Sequence, residues 1–226
     1  MEYFYYRGEK CKECNNAVPI FALGHHKPLE EGEEQFSKVC MGFYKHGYSL
    51  QYFLKRLVQL YKERNDIQFD MICLCPSSKK DSFNENMKKL TEEFYKTVQL
   101  PYKQVLHRTK DTDKQHELKK KEERIENVKD SFSVSEDITG KNILVIDNLS
   151  TSGSTAQEIH RLIVHKHNAK SCVFVCLSLG YKAKDLDFDL NPAFSGKFSY
   201  IIEKLHWPKV PKSKRIKIED LPESEE

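Results

Sequence analysis

The sequence predicts an α/β fold, a mostly parallel sheet flanked by helices, with a small irregular N-terminal appendage. Three apolar runs, "FDMICLCP", "KNILVID" and "SCVFVCLSL", read as strands buried on both faces. Segments of helical periodicity lie between them, the alternation that builds a parallel sheet with crossover helices. An acid and a cluster of small hydroxyl and glycine residues follow the strongest strand, where open α/β sheets receive ligands.

In chain order, residues 1–45 set Cys11, Cys14, His25, His26 and Cys40 among Gly, Pro and acidic residues. This predicts a cysteine-containing module or arm separate from the main domain. "SLQYFLKRLVQLYKER" places Phe53, Leu54, Leu57, Val58 and Tyr61 at helical spacing behind Ser49, a residue able to cap the first turn. "FDMICLCP" is a buried strand stopped by Pro76, "NENMKKLTEEFYKTV" returns to helical spacing, and "YKQVLHR" predicts a second strand. Residues 109–131 carry few apolar side chains among many charges and predict a segment that is mobile or helical only in part. "KNILVID" is the clearest strand, "TAQEIHRLIVHKH" an amphipathic helix with Ile159, Leu162 and Ile163 inward, and "SCVFVCLSL" a further buried strand. The main domain is drawn from 46 to 207, where Trp207 and "FSGKFSYII" suit edge-strand packing or a base-binding hood. Residues 208–226, basic and then acidic, predict a disordered charged tail.

The length of 226 residues suits one main core with an appendage. With 37 Lys and Arg against 34 Asp and Glu, the formal charge is +3, so charge alone makes no case for nucleic acid and does not exclude it. No apolar run approaches the roughly 20 residues that span a bilayer, and the first ten residues lack the order of a signal peptide. The expectation is a cytoplasmic chain with no membrane partner. Seven cysteines, an odd number, agree, since Cys73, Cys75, Cys172 and Cys176 fall in strand-like runs where free thiols pack as small hydrophobes.

The stretch "NILVIDNLSTSGSTAQEIHRLI" carries the chemistry. Asp147 closes a strand, and Thr151, Ser152, Gly153, Ser154 and Thr155 then offer consecutive N–H groups, four hydroxyls and a glycine directly before a helix. Unpaired donors and the dipole of a first helical turn both favour an anion, so the loop suits a phosphate and Asp147 suits sugar hydroxyls. The alternative is a merely capped turn. Neither G-x-x-x-x-G-K-[ST] nor a G-x-G-x-x-G after a strand occurs.

"ILVIDNLSTSGST" resembles the phosphoribosyl-diphosphate (PRPP) signature of the type I phosphoribosyltransferases. Residues 70–180 further resemble the ComF-like branch of that family, with Arg108, Gln115, Arg124 and Asn127 in "ERIENV", and Phe132 ahead of the signature. The resemblance implies the type I phosphoribosyltransferase fold and transfer of phosphoribose from PRPP to a nitrogenous acceptor, a base or ammonia, with release of pyrophosphate. It implies that Thr151, Ser152, Gly153, Ser154 and Thr155 hold the 5′-phosphate and that Asp147 with Asn148 holds the ribose. Ser77, Ser78 and Lys79 would face the pyrophosphate, with Arg108 and Arg124 as nearby cations and residues 109–127 as a closing loop. Asp147, Asn148 and Arg124 form the implied catalytic set. Mg2+ would accompany PRPP, a homodimer is among the implied assemblies, and nucleotide metabolism is the implied setting.

The family usually has two acids where this chain has Asp147-Asn148. Asparagine keeps the size and one acceptor and loses a charge. At about 5 Å and an effective dielectric near 20 that charge is worth roughly 3 kcal/mol to a developing cation, about a hundredfold in rate. A non-catalytic PRPP or nucleotide sensor, regulatory or associated with nucleic acid, is therefore the alternative reading on the same fold. A sugar-phosphate hydrolase is a third, with no nucleophile in the motif to support it. The branch also typically begins with a cysteine-rich zinc module, and "CKEC" has knuckle spacing. A structural zinc on Cys11, Cys14, Cys40 and His25 or His26 is the corresponding expectation, two unligated thiols its alternative. His107, His116, His160, His165 and His167 show no familiar ligand spacing.

Overall fold

In the computed structural model the chain is organised around β7 (Asn142–Ser150), whose Ile143, Leu144, Val145 and Ile146 are buried. Residues 5–11, 13, 17–26, 35–63, 68–115, 117–118 and 120–180 are described. Trp207, "FSGKFSYII" and the 208–226 tail lie outside them, as does His116.

A strand apolar on both faces must be covered on both, and the described chain does this with two helical layers. The parallel strands run β2 (Ala17–Ala22), β8 (Ser171–Gly180), β7, β4 (Met71–Leu74) across the sheet, with β1 (Tyr5–Lys10) antiparallel on the outer edge of β2. A two-residue strand, β3 (His25–His26), continues beside β8. Leu144 and Ile146 face α1 (Gln35–His46), α2 (Leu50–Glu63) and α3 (Glu85–Val98), through Phe43, Phe53, Leu57, Leu90 and Phe94. Ile143 and Val145 face the other layer, with Ile159, Leu162 and Ile163. That layer holds α4 (Lys121–Val128), α5 (Ser154–His160), its π-helical continuation Arg161–Lys166, and a hairpin of β5 (Leu106–Arg108) and β6 (Phe132–Val134). The predicted α/β class, with a mostly parallel sheet and flanking helices, is observed.

Local chemistry sets the element ends. Asn84 caps α3, its side chain accepting from Asn86 N–H and Met87 N–H at 3.1 and 3.0 Å, a cap worth about 1 kcal/mol. Ser49 instead adopts a left-handed φ of 63°, and its carbonyl accepts from Phe53 N–H at 3.3 Å. Of the residues predicted to face inward from α2, Phe53, Leu57 and Val58 are buried and Leu54 and Tyr61 pack partly buried against the same core, joined by Leu60 and by Arg56, whose Nη2 donates to the carbonyl of Leu23.

Two expectations need correction. The described part of residues 1–45 is not an irregular appendage. β2 lies within the sheet, with Val18, Ile20 and Ala22 buried on one face and Phe21 and Leu23 on the other. A boundary at residue 45 would fall inside α1. Pro19 hid the strand, because a strand proline normally marks an edge; here pairing with β8 begins one residue later, at Ile20. The second departure concerns "YKQVLHR". It meets β4 only through an isolated bridge between Tyr102 and Ile72. Beyond it the Gln104 side chain stands in for strand backbone, accepting from Leu74 N–H at 3.1 Å and donating to the Leu74 carbonyl at 3.0 Å. The chain then turns away to pair β5 with β6.

Candidate functional site

The four parallel strands present their carboxyl ends on one edge of the sheet. From β4 the chain crosses by α3 to Tyr102 on one side, and from β7 it crosses by α5 to β8 on the other. The crevice between the ends of β4 and β7 is thus a switch point in strand order, where open α/β sheets bind ligands. Asp147, the β7 residue just past the last pair with β4, and Cys75, just after β4, meet there, and β7 itself runs on to Ser150 beyond the strand end expected at Asp147.

Asp147 is half-buried. Its Oδ1 accepts from the N–H of Asn148 at 2.8 Å and Arg108 adds an attractive field, while the Cys75 thiol alongside donates to the Pro76 carbonyl at 3.7 Å. Burial outweighs the Asn148 bond and the Arg108 field and pushes the carboxyl up to about 6 from its ordinary 3.8. Burial, reinforced by the Asp147 charge, also pushes the Cys75 thiol well above its ordinary value. Cys75 is therefore held as a protonated thiol and not as a nucleophile.

Arg108, 4% exposed, is held on three sides. Its Nε donates to the Ser77 carbonyl at 2.7 Å and its Nη1 to Ser131 Oγ at 2.9 Å, while Cζ sits 4.1 Å from the centroid of the Phe132 ring. Burial lowers the proton affinity of the guanidinium, and the Asp147 charge opposes that.

Past β7, Gly153 takes φ 72° and ψ 2°, a left-handed conformation that costs a side-chain-bearing residue about 1–2 kcal/mol. The chain there turns into α5, whose first N–H groups have no acceptor within the helix and whose dipole favours an anion. Ser152 and Ser154 are buried with their hydroxyl oxygens 2.8 Å apart, and Ser154 Oγ donates to Gln115 Oε1 at 3.4 Å. Thr151 and Thr155 are half-buried. Ser150 Oγ, buried at the start of the loop, has no hydrogen-bond partner. Gly180, at the end of β8, backs the loop so closely that a Cβ would lie 2.9 Å from Thr151 Cγ2.

The remaining candidates serve mainly to hold the surrounding segments. Ser77 Oγ donates to the Ser82 carbonyl at 3.0 Å, and the Ser78 carbonyl accepts from Thr112 N–H at 2.8 Å. Exposed Lys79 pairs with Asp111 at 3.0 Å. Arg124 Nε donates to the Leu118 carbonyl at 2.9 Å, and the Arg124 carbonyl accepts from Gln115 Nε2 at 3.1 Å. Arg108, more than Arg124, is therefore the cation that acts on Asp147. Sequence reasoning missed Cys75, reading it as packing; its one signal was a polarisable side chain directly before Pro76 at a strand end. Ser131, which fixes Arg108, gave none.

The expected zinc set is not assembled. Cys11 and Cys40 are both buried, but Cys11 packs in the layer with α5 while Cys40 packs between α1 and the opposite face of the sheet. The pleat separates them, since neighbouring side chains of β2 point to opposite faces. Cys14 and the side chain of His25 lie outside the described residues. Cys11 Sγ instead lies 3.4 Å from Nε2 of His165, next to His160.

No family model matches the chain, and no curated protein matches it. Among solved structures it is similar to a hypoxanthine phosphoribosyltransferase from Staphylococcus aureus, at 14% identity and a TM-score of 0.36 over 63% of this chain and 69% of that one. A second similar structure is described as the asparagine mutant from an analysis of an invariant aspartic acid in HPRTs, at 13% identity and a TM-score of 0.36 over the same shares.

Proposed function

We propose that this chain binds PRPP at the β4–β7 crevice and transfers its phosphoribosyl group to a nitrogenous acceptor, a base or ammonia, releasing pyrophosphate. The observation that carries the reading is the order of groups along β7 and the loop after it: a desolvated carboxylate, then a left-handed glycine between two buried serines, then a helix N-terminus. The 5′-phosphate would sit on the N–H groups and hydroxyls of 151–155, and Asp147 with Asn148 would accept from the ribose hydroxyls. The turn at Ser77, Ser78 and Lys79 would face the diphosphate, with Arg108 behind it. The acceptor nitrogen forms its bond to C1′ as the C1′–oxygen bond breaks, the diphosphate leaving with the electron pair and the acceptor giving up a proton.

Protein groups here position and stabilise charge and form no covalent intermediate. Mg2+ ordinarily takes one or two protein carboxylates alongside substrate phosphates, so a site with one carboxylate and a phosphate cradle fits the ion brought by PRPP. When bound it offsets charge on the departing diphosphate. Residues 109–127, whose Gln115 accepts from Ser154 Oγ at 3.4 Å, would close over the bound substrate and exclude water.

A second reading, a PRPP sensor without turnover, is favoured by Asn148 and by the enclosure of Arg108. Calorimetry with PRPP and Mg2+, followed by pyrophosphate release against a panel of bases and ammonia, separates the two. Saturable binding with acceptor-dependent pyrophosphate release supports transfer, saturable binding without product supports the sensor, and no binding removes both.

A further inference from the structure

Cys11, His160 and His165 bring three donors to one point on the helical layer away from the phosphate loop. One ligand atom from each lies within 4.8 Å of the other two, and Cys11 Sγ and His165 Nε2 are 3.4 Å apart. Zinc–sulfur and zinc–nitrogen bonds of about 2.3 and 2.0 Å at a tetrahedral angle separate the two ligand atoms by about 3.5 Å. Cys11 is 2% exposed and His160 7%, and His160 Nδ1 is buried with no hydrogen-bond partner.

Histidines five apart do not share a face of an α-helix, where five residues turn about 500°. They meet here because the helix changes pitch. Arg161–Lys166 is π-helical, and His167 N–H reaches back to the Leu162 carbonyl at 3.1 Å. Bonding from i to i+5 widens the helix and lowers the turn per residue, which brings residues five apart nearer to one face, and the two imidazole centroids are 5.6 Å apart. Such turns are rare and are frequently found at functional sites. Arg161, between the histidines, adds little net positive charge, since it pairs with Asp130 and Glu158 at 2.6 Å and with Glu13 at 3.5 Å. The Glu13 pair also ties the Cys11 segment to this helix.

We propose that Cys11, His160 and His165 form a site for a divalent cation of borderline softness, zinc in particular, that clamps the segment after β1 onto the helix following the phosphate loop. One thiolate and two imidazoles suit zinc better than magnesium or calcium, which take oxygen donors. The three leave one tetrahedral position for a further donor. The enclosure of Cys11 and His160 makes the role structural. The proposal is independent of the PRPP reading.

The full chain, stripped with a chelator, is titrated with Co2+ and then Zn2+, with metal content measured by mass spectrometry. One metal per chain is expected, with a thiolate-to-cobalt charge-transfer band that Zn2+ removes. Cys11→Ser should abolish that band. His165→Gln, at a half-exposed position, should keep the wild-type circular dichroism and weaken affinity at least tenfold, since even an outer partner of a ligand is worth about 10–100-fold. Absence of the band in the wild-type chain, its persistence in Cys11→Ser, or unchanged affinity in folded His165→Gln would overturn the site.

Discussion

Asn127 holds Asp113 by both of its backbone groups, Oδ1 accepting from the Asp113 N–H at 3.0 Å and Nδ2 donating to its carbonyl at 2.9 Å. One side-chain amide thereby does what a neighbouring strand would do, and it fixes the charged segment whose Gln115 touches Ser154. Asn127→Ala should release residues 109–118 while leaving the sheet untouched. Faster amide exchange confined to that segment is expected, with a global stability change of about 1 kcal/mol or less, because the bonds are solvent-exposed. If the segment closes over PRPP, affinity should fall several-fold; equal exchange in variant and wild type would show that the amide does not hold it.

Asp147 couples stability to pH in a direction opposite to most carboxylates. Its folded value near 6 lies above the ordinary 3.8, so between those values the folded state binds more protons than the unfolded one, and stability falls as pH rises. Above pH 6 the penalty is fully present and on the order of 3 kcal/mol at most. Asp147→Asn should therefore raise the melting temperature by a few degrees at pH 7.5 and by much less near pH 4. The same variant should lose PRPP binding, and wild-type binding should weaken as pH drops through 6. Destabilisation at pH 7.5 would mean that the carboxylate is held by stronger contacts than those of Asn148 and Arg108.

Gly153 and Gly140 separate strain from site chemistry. Both have left-handed φ, 72° and 70°, so alanine should cost each about 1–2 kcal/mol. A Cβ on Gly140 meets nothing within 4 Å, whereas Gly153 lies in the chain between Ser152 and Ser154, both buried, at the start of α5. The two variants should melt at similar temperatures, with only Gly153→Ala losing PRPP affinity, by tenfold or more. Equal affinity in both would remove the loop from the binding site.

What was legible in the sequence follows from which interactions are local. β7 and β8 could be read because a strand buried on both faces must be apolar throughout, and the glycine-and-hydroxyl turn before α5 because its residues are consecutive. β2 was hidden by Pro19, whose harmlessness depends on where pairing with β8 begins. The contact of Cys75 with Asp147 depends on β4 lying next to β7, and strand order is not written in either strand. His160 and His165 were passed over because their spacing makes sense only on a π-helix, which no local propensity announces.

Asn148 offers the sharpest separation of transfer from sensing. Its backbone N–H already serves Asp147 Oδ1 at 2.8 Å, so Asn148→Asp changes a side-chain charge and leaves that bond in place. A new carboxylate beside one already pushed up to about 6 should raise the proton affinity of the pair further, since like charges oppose ionisation. Below pH 7 the gain from the extra charge would therefore be muted. Above pH 8, with both ionised, a cationic centre at C1′ would feel the full field, roughly 3 kcal/mol at about 5 Å and an effective dielectric near 20. The expected result is a rise in pyrophosphate release of up to about a hundredfold at pH 8, smaller at pH 6.5, with PRPP affinity changed far less. An unchanged rate at pH 8 in a variant that still binds PRPP would show that the missing charge does not limit turnover, and would leave sensing as the reading of this site.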